Sequence, residues 1–212
     1  MRDLLAYIAR QLKDPLKIRE EHVNLSSHSK MKVVLAVQTL SKTNANVLRN
    51  NFTSEYHGTA DFCFMMNKFF DIMNVKNSTD HIESRNMDKR PFYSPEDERL
   101  VWLQNVFLKY FNDWEQKIMA REGFDAKQKE KMFISRQTME GIRITVYSVI
   151  ECVKFLLRSG MRYVLTEKFT QDLLELYFGF QRACGFSNDN PTLQQFGYND
   201  NGIRARGALA KV

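Results

Sequence analysis

Apolar residues recur along this chain mostly at spacings of three and four, the period of helices that bury one face. Over residues 1–13 the repeat falls on Leu4, Leu5, Ile8 and Leu12, and Asp14-Pro15 breaks it. A polar stretch from Arg19 to Ser29 reads as a loop. Ser27 or Ser29 is placed to cap a helix over about residues 30–49, with Val33, Val34, Val37, Leu40, Val47 and Leu48 at its apolar positions. A second loop runs from Asn50 to Gly58. Thr59 can then cap a helix over residues 60–73 that carries Phe62, Met65, Met66, Phe69 and Phe70 on one side. Residues 74–96 are polar and broken, and read as a mobile surface loop.

Ser94-Pro95-Glu96-Asp97 has the composition of a helix start, with Ser at the N-cap, Pro in the first helical position and acids in the first turn. The pattern predicts one long helix from there to about Glu122, ended by Gly123, with Trp102, Phe107 and Trp114 in its buried face. Asp125 to Lys131 reads as a charged link. Ser135 is placed to cap a further helix reaching Ser159-Gly160. Its Thr138–Val149 stretch is rich in β-branched residues and allows a local strand, but its length favours helix. A last short helix is expected from Gln171 to Arg182. Asp172 and Glu175 stand three residues apart on one face, and Leu173, Leu174, Tyr177, Phe178 and Gln181 form a core-facing stripe opposite. No internal repeat is visible, and the expected fold class is mostly α.

Composition sharpens this reading in a few places. The 212 residues are 43% hydrophobic and include sixteen Phe, enough for a sizeable core, and nine Gly and four Pro argue against a loop-rich chain. A net charge of +6 with acids and bases interspersed permits a nucleic-acid surface without requiring one. Cys63, Cys152 and Cys184 have neither zinc-ligand spacing nor an even count, which points to a reducing compartment. His22, His28, His57 and His81 form no ligand pattern. No apolar run is long enough for a membrane span and no signal peptide is expected, so the N-x-S/T triplets at Asn24, Asn51 and Asn77 read as chance. Neither a G-x-x-x-x-G-K-[ST] nor a G-x-G-x-x-G phosphate loop occurs.

The stretch QDLLELYFGFQR at 171–182, followed by NDNPTLQQF at 188–196, carries a more specific signal. It resembles the end of the catalytic domain of P-element-type transposases and their THAP-domain relatives, whose pattern is roughly Q-D-x-L-E-x-x-F-G-x-x-R and then N-x-N-P-T-x-x-Q-F. One departure is the second glycine of the usual Gly-Gly link, since this chain reads Cys184-Gly185-Phe186. The resemblance implies a helical GTP-binding domain inserted into an RNase H-like domain. Residues 1–130 would be the insertion, 131–162 its closing helices and link, 163–199 the C-terminal part of the RNase H-like domain without its central sheet, and 200–212 a tail.

The resemblance also implies a site. GTP would be held by Lys17, Lys32, Val33, Ser41, Asp71, Asn74 and Asp172. Lysines suit phosphate as point charges. A phosphate near the start of the helix at Lys30 would also meet free backbone N–H groups. A carboxylate at Asp71 could accept from both N1–H and the amino group of guanine, a donor pair that adenine lacks. Taken singly, each of these residues is an ordinary solvated charge, mid-helix polar residue or cap, and only the combination in family order points to binding. Glu175 would be the third carboxylate of a two-metal Mg²⁺ centre that cuts and joins transposon DNA. The other two carboxylates would come from strands that precede the insertion. The chain is therefore expected to be a fragment of a nuclear DNA transposase, able to bind GTP and to form homo-oligomers, and inactive alone. The competing expectation is a non-catalytic helical module for protein or DNA contacts, derived from a transposon.

Overall fold

A computed structural model describes residues 18–184, 188 and 190–209, the side chains of 172, 173, 208 and 209 excepted. The helix expected over 1–13 lies outside the described residues. By compactness the chain divides into residues 1–166 and 167–212. Among the described residues there are helices and no strand, and the one extended pairing is an isolated antiparallel bridge between Phe92 and Val164. The fold is mostly α, as the spacing of apolar residues implied.

Among the described residues the first unit begins with α1 (Glu20–Val23), a 3₁₀ turn (Ser29–Met31), α2 (Val33–Thr39), α3 (Lys42–Asn51) and α4 (His57–Met73). The single helix expected over 30–49 is thus two, because Ser41 is an N-cap and not a mid-helix residue. Its backbone is extended and its hydroxyl accepts from the Asn44 N–H at 3.3 Å. Such a cap contributes roughly 1 kcal/mol. The cap of α2 is Lys32, not Ser27 or Ser29, and its side chain makes no cap hydrogen bond. α4 starts earlier than expected, which places Thr59 inside its first turn and not at its cap. Fully buried Ala45 and Ala60, with buried Leu48 and Cys63, let α3 and α4 pack closely.

The larger core lies where α4 meets α6 (Glu98–Trp102), a π-helical turn (Leu103–Phe107), α7 (Leu108–Met119) and α9 (Arg136–Arg158). The single long helix expected from Ser94 therefore contains an irregular turn and starts later. Its cap is Asp97, which accepts from the Arg99 N–H at 3.0 Å, while Ser94 closes the preceding turn. The π turn has a packing consequence. On an ideal α-helix, residues five apart sit roughly 140° from one another. The i→i+5 pattern turns them toward the same side, where the Trp102 ring packs beside that of Phe107. Phe107 stacks on Phe69 with ring centroids 4.4 Å apart, and Trp102 lies 5.7 Å from Phe107. Phe107 is fully buried as expected, whereas Trp102 and Trp114 are only half-buried. The expected charged link contains α8 (Ala126–Lys131), held by an Asp125–Gln128 capping box. Ser135 caps α9, accepting from the Thr138 N–H at 3.2 Å, and the β-branched stretch is helical throughout.

Residues 74–96 depart furthest from expectation, because they are ordered around buried side chains. They include α5 (Asp80–Glu83) and a 3₁₀ turn at Met87–Lys89, and Val75, Pro91 and Phe92 are fully buried. The organising group is Arg99, 3% exposed. Its Nε and Nη2 donate to the two oxygens of Asp97 at 2.9 and 2.8 Å. Its other N–H groups donate to the backbone carbonyls of Asp88, Arg90 and Pro91. Its guanidinium plane also lies 3.8 Å from the centroid of the Phe92 ring. Burial by itself would raise the Asp97 carboxyl. The hydrogen bonds and charge of Arg99 overcome that and hold it below its ordinary value.

A 3₁₀ turn (Thr166–Phe169) spans the boundary, and the second unit then contains α10 (Asp172–Cys184) and α11 (Leu193–Leu209). Thr192 and Gln195 form the reciprocal cap of α11. The stripe of α10 expected to face a core is only partly covered. Tyr177 donates to Asp200 of α11 at 2.7 Å and Gln181 is 4% exposed, but Leu174 and Phe178 are 59% and 47% exposed. The covered edge of α10 is thus the polar one that α11 can hydrogen-bond.

Replacing Arg99 with Met is expected to lower the unfolding free energy by about 3–5 kcal/mol, because Asp97 would be left buried and unpaired. Urea unfolding at neutral pH measures this. The carboxyl of Asp97 is depressed in the folded protein, so its contribution is full above its ordinary value and fades as pH falls through the lowered one. The difference between wild type and variant should shrink over that acidic window. A loss below about 1 kcal/mol at neutral pH would show that residues 86–97 are ordered by something else.

Candidate nucleotide site

Asp71 lies on the last full turn of α4 and is buried. Its Oδ2 accepts from the Asn67 side-chain amide, one turn earlier on the same helix, at 2.7 Å. The same oxygen accepts from the Asn86 amide at 2.8 Å. Asn86 is positioned because its own Oδ1 accepts from the Asp88 N–H at 3.1 Å, and Asp88 is held in turn through its carbonyl by Arg99. Asn67 reaches the other way, its Oδ1 accepting from the Lys42 N–H at the start of α3 at 2.9 Å. A single network therefore runs from the first turn of α3 through Asn67, Asp71 and Asn86 to the clamp. Burial raises the Asp71 carboxyl above its ordinary value, and the Asn86 bond, Lys89 and the Asn67 bond offset this in part.

Beside this network a cleft of about 410 Å³ opens between the start of α3, the middle of α4, the 84–88 turn and Trp102. Asn67 and Asn86 line it, together with Lys42, Lys68 and Arg85. Ser41 stands next to Lys42, so the structure brings Ser41 and Asp71 to one region, though the Ser41 hydroxyl is engaged in its cap. Asn74 ends α4, donating its amide to the Phe70 carbonyl at 2.8 Å. Beyond it the fully buried Thr166 closes the helix end, donating to the Ile72 carbonyl at 2.6 Å and accepting from the Val75 N–H at 3.2 Å.

Lys32 and Val33 are placed differently. Lys32 lines a separate depression of about 290 Å³ and donates to Glu21 at 2.7 Å. That bond, with one from Ser29 at 2.9 Å, holds the Glu21 carboxyl below its ordinary value. A phosphate at Lys32 would therefore have to displace Glu21. Val33 is 67% exposed. Lys17 and the side chain of Asp172 lie outside the described residues.

Glu175 is exposed on α10, its N–H donating to the Gln171 carbonyl at 2.8 Å. Among the described residues no three His, Cys, Asp or Glu side chains converge as a metal-binding set. Glu175 offers one carboxylate to a metal ion, and these residues do not by themselves fit a two-metal centre. No helix among the described residues is long and apolar enough to cross a membrane.

Several of these groups escaped the sequence reading. Asn67 stands four residues before Asp71, a helical spacing that does signal a contact. Asn86 reaches Asp71 from fifteen residues away, through a turn that no local pattern announces.

The same two regions stand out when the chain is compared with known proteins. Residues 1–86 match the family model of a TNP-like GTP-binding insertion domain, and residues 167–198 match that of a TNP-like RNase H C-terminal domain. The transposable element P transposase of Drosophila melanogaster is 34% identical over 189 residues, which span 86% of this chain and 23% of that protein. In the Drosophila P element transposase strand transfer complex, a chain covered to 42% of its length superposes on 93% of this one, at a TM-score of 0.58 and 26% identity. The chain thus spans less than half the length of either relative. It belongs to the P-element-type transposase family, and carries the counterparts of that family's GTP-binding insertion domain and of the C-terminal part of its RNase H domain.

Proposed function

We propose that this chain is the GTP-binding part of a transposase that acts on transposon DNA in the nucleus, and that Asp71 selects the base. The observation that carries the reading is the Asp71 network. A carboxylate taken largely out of water is held at one oxygen by two amides, beside a cationic cleft. Those amides occupy Oδ2 and fix the orientation of the carboxylate, which leaves Oδ1 to accept from a guanine N–H, while the second guanine donor would reach Oδ2 by taking the place of one amide. Ser41 and Asn74 then support the site by ending helices around it. Lys17, Lys32, Val33 and Asp172 are its further candidates. The domain limits argued from the sequence, with the insertion over 1–130 and the RNase H-like part over 163–199, belong to the same reading.

Glu175 is the proposed metal ligand of the complete catalytic centre. There Mg²⁺ would stabilise the attacking and leaving oxygens, with the other carboxylates coming from segments outside those described. By itself the chain is proposed to be inactive in DNA strand transfer, and homo-oligomerisation belongs to the whole transposase. A second reading, a helical interaction module without nucleotide, is favoured by the exposed apolar residues Leu174, Leu176, Phe178 and Phe180 on α10.

Two measurements separate these readings. By titration calorimetry the chain should bind GTP in preference to ATP, and Asp71→Ala should remove the preference. Equal affinity of the wild type for both nucleotides would defeat the role given to Asp71, and binding of neither would favour the interaction module. The second measurement is pH-resolved stability. The folded state holds the Asp71 proton more tightly than the unfolded chain does, so its contribution falls as pH rises through the window from the ordinary to the raised value. Asp71→Asn should therefore be more stable than wild type at neutral pH, and lose that advantage below the ordinary aspartate range. A variant less stable than wild type at neutral pH would mean that the network is built for the carboxylate itself.

A further inference from the structure

We propose that the outward face of α9 is a contact between two copies of this chain, with the two helices packed antiparallel about a two-fold axis; this deepens the homo-oligomerisation proposed above. The inward face of α9 is accounted for, since Met139, Val146, Val149, Ile150 and Val153 are buried in the larger core. A helix buried on one side ordinarily presents polar residues on the other. Here the opposite side carries Ile144, Tyr147 and Phe155, all exposed, Ile144 to 60% and Phe155 to 69%. With Glu140, Ser148, Glu151 and Arg158 they form one stripe, at helical spacings of three and four.

The order of residues along the stripe identifies the occupant. Glu140 lies near its start and Arg158 at its end, eighteen residues apart, which on a helix is about five turns and the same side. Both are exposed, and neither has an ion-pair partner among the described residues. Arg143, three residues after Glu140, is engaged instead by Asn112 and Glu115. A second α9 turned end for end sets the partner's Arg158 against Glu140, and the partner's Glu140 against Arg158. The same operation sets Phe155 against Ile144, twice. Near the axis it sets Ser148 against Glu151, where a hydroxyl can donate to a carboxylate, and Lys154 at 3.9 Å offsets the Glu151 charge. A parallel pair would oppose Glu140 to Glu140 and Arg158 to Arg158, which like charges disfavour. A contact that maps one patch onto itself closes as a dimer. The stripe is roughly 27 Å long at 1.5 Å per residue. Its area falls at the low end of specific interfaces, so the dimer is a weak one that forms at micromolar concentration.

Sedimentation equilibrium of the full chain over a micromolar concentration series should show monomer in exchange with dimer. Ile144→Gln and Phe155→Gln should each weaken the dimer by about tenfold or more, because each removes two apolar contacts per dimer. Glu140→Arg and Arg158→Glu should each weaken it by about fivefold, through two like-charge contacts per dimer. The double variant Glu140→Arg with Arg158→Glu should restore wild-type association, a rescue that only the antiparallel pairing gives. All four positions are exposed, so circular dichroism should show unchanged helix content in every variant. Leu174→Gln, at an exposed position of α10, serves as the control and should leave the dimer unchanged. A dimer that Leu174→Gln weakens and the α9 variants do not would place self-association on α10, which overturns this contact while the homo-oligomerisation reading stands. Charge reversals without rescue would overturn the antiparallel arrangement. A chain that stays monomeric throughout the series would overturn the self-contact altogether.

Discussion

One buried ion pair determines whether much of this structure can exist. Arg99 and Asp97 are both taken out of water, where neither charge is tolerated alone. Their side chains are two residues apart, so the pair itself closes almost no loop. Its effect lies in the donors that Arg99 has left. These satisfy three carbonyls of residues 88–91, which could not otherwise turn inward without losing their hydrogen bonds to water. Once they do, Pro91 and Phe92 enter the core, and Phe92 pairs with Val164 through two backbone bonds of 3.0 and 2.9 Å. A guanidinium is suited to this because five N–H groups in a rigid fork can serve a carboxylate and several carbonyls at once. A lysine at position 99 would supply charge without that geometry.

The clamp also explains how a site can be built on polar sequence. Asp71 sits on a helix whose other inward positions are apolar, and by burial alone it would be an error in the core. It is tolerated because one amide comes from its own helix and another from the turn that Arg99 secures. Those amides soften the penalty without removing it, since the carboxyl is still raised above its ordinary value. A position of this kind lowers stability relative to a neutral side chain of the same shape. Such positions are expected where a group is held ready for something that arrives later.

The sequence made some of this legible, and the divide between what it announced and what it hid is physical. α9 was readable because its signals are local: Ser135 at the start, apolar residues at helical spacing, Gly160 in the left-handed region at the end. The break at Ser41 was local too, but a serine inside an apolar repeat is ambiguous until its backbone is seen to be extended. Residues 74–96 were misjudged because their order comes from a partner outside the segment, and polarity is a poor guide when one arginine satisfies three carbonyls. The π turn left no mark on the apolar pattern, because Trp102, Leu103 and Phe107 suit a helix of either kind. In the candidate site, Asp71 was singled out by resemblance and Asn67 was recoverable from spacing. Lys42, Lys68 and Arg85 had no sequence signal beyond their charge.

α10 shows the same reasoning from the opposite side. Leu174, Leu176, Phe178 and Phe180 follow one another at every second residue, a spacing that on a helix scatters side chains around the axis instead of gathering them on one face. Apolar residues on most sides of a helix belong to one that is covered on most sides. Within its own unit α10 is covered by α11 along the Tyr177–Gln181 edge, through hydrogen bonds to Asp200 and Asn199 and the Phe196 ring set edgewise against Tyr177. Its composition is therefore that of an interior helix, in keeping with the match of residues 167–198 to an RNase H C-terminal domain. The same logic bears on Glu175. A carboxylate on an exposed face is hydrated, and an isolated carboxylate holds Mg²⁺ weakly because the ion keeps its water. Neighbours that covered the apolar sides of α10 would also draw Glu175 out of water and bring further ligands to it. Under the role proposed for Glu175, packing of the helix and metal binding would be two consequences of one event, with burial of the leucines and phenylalanines as the condition for the carboxylate to act.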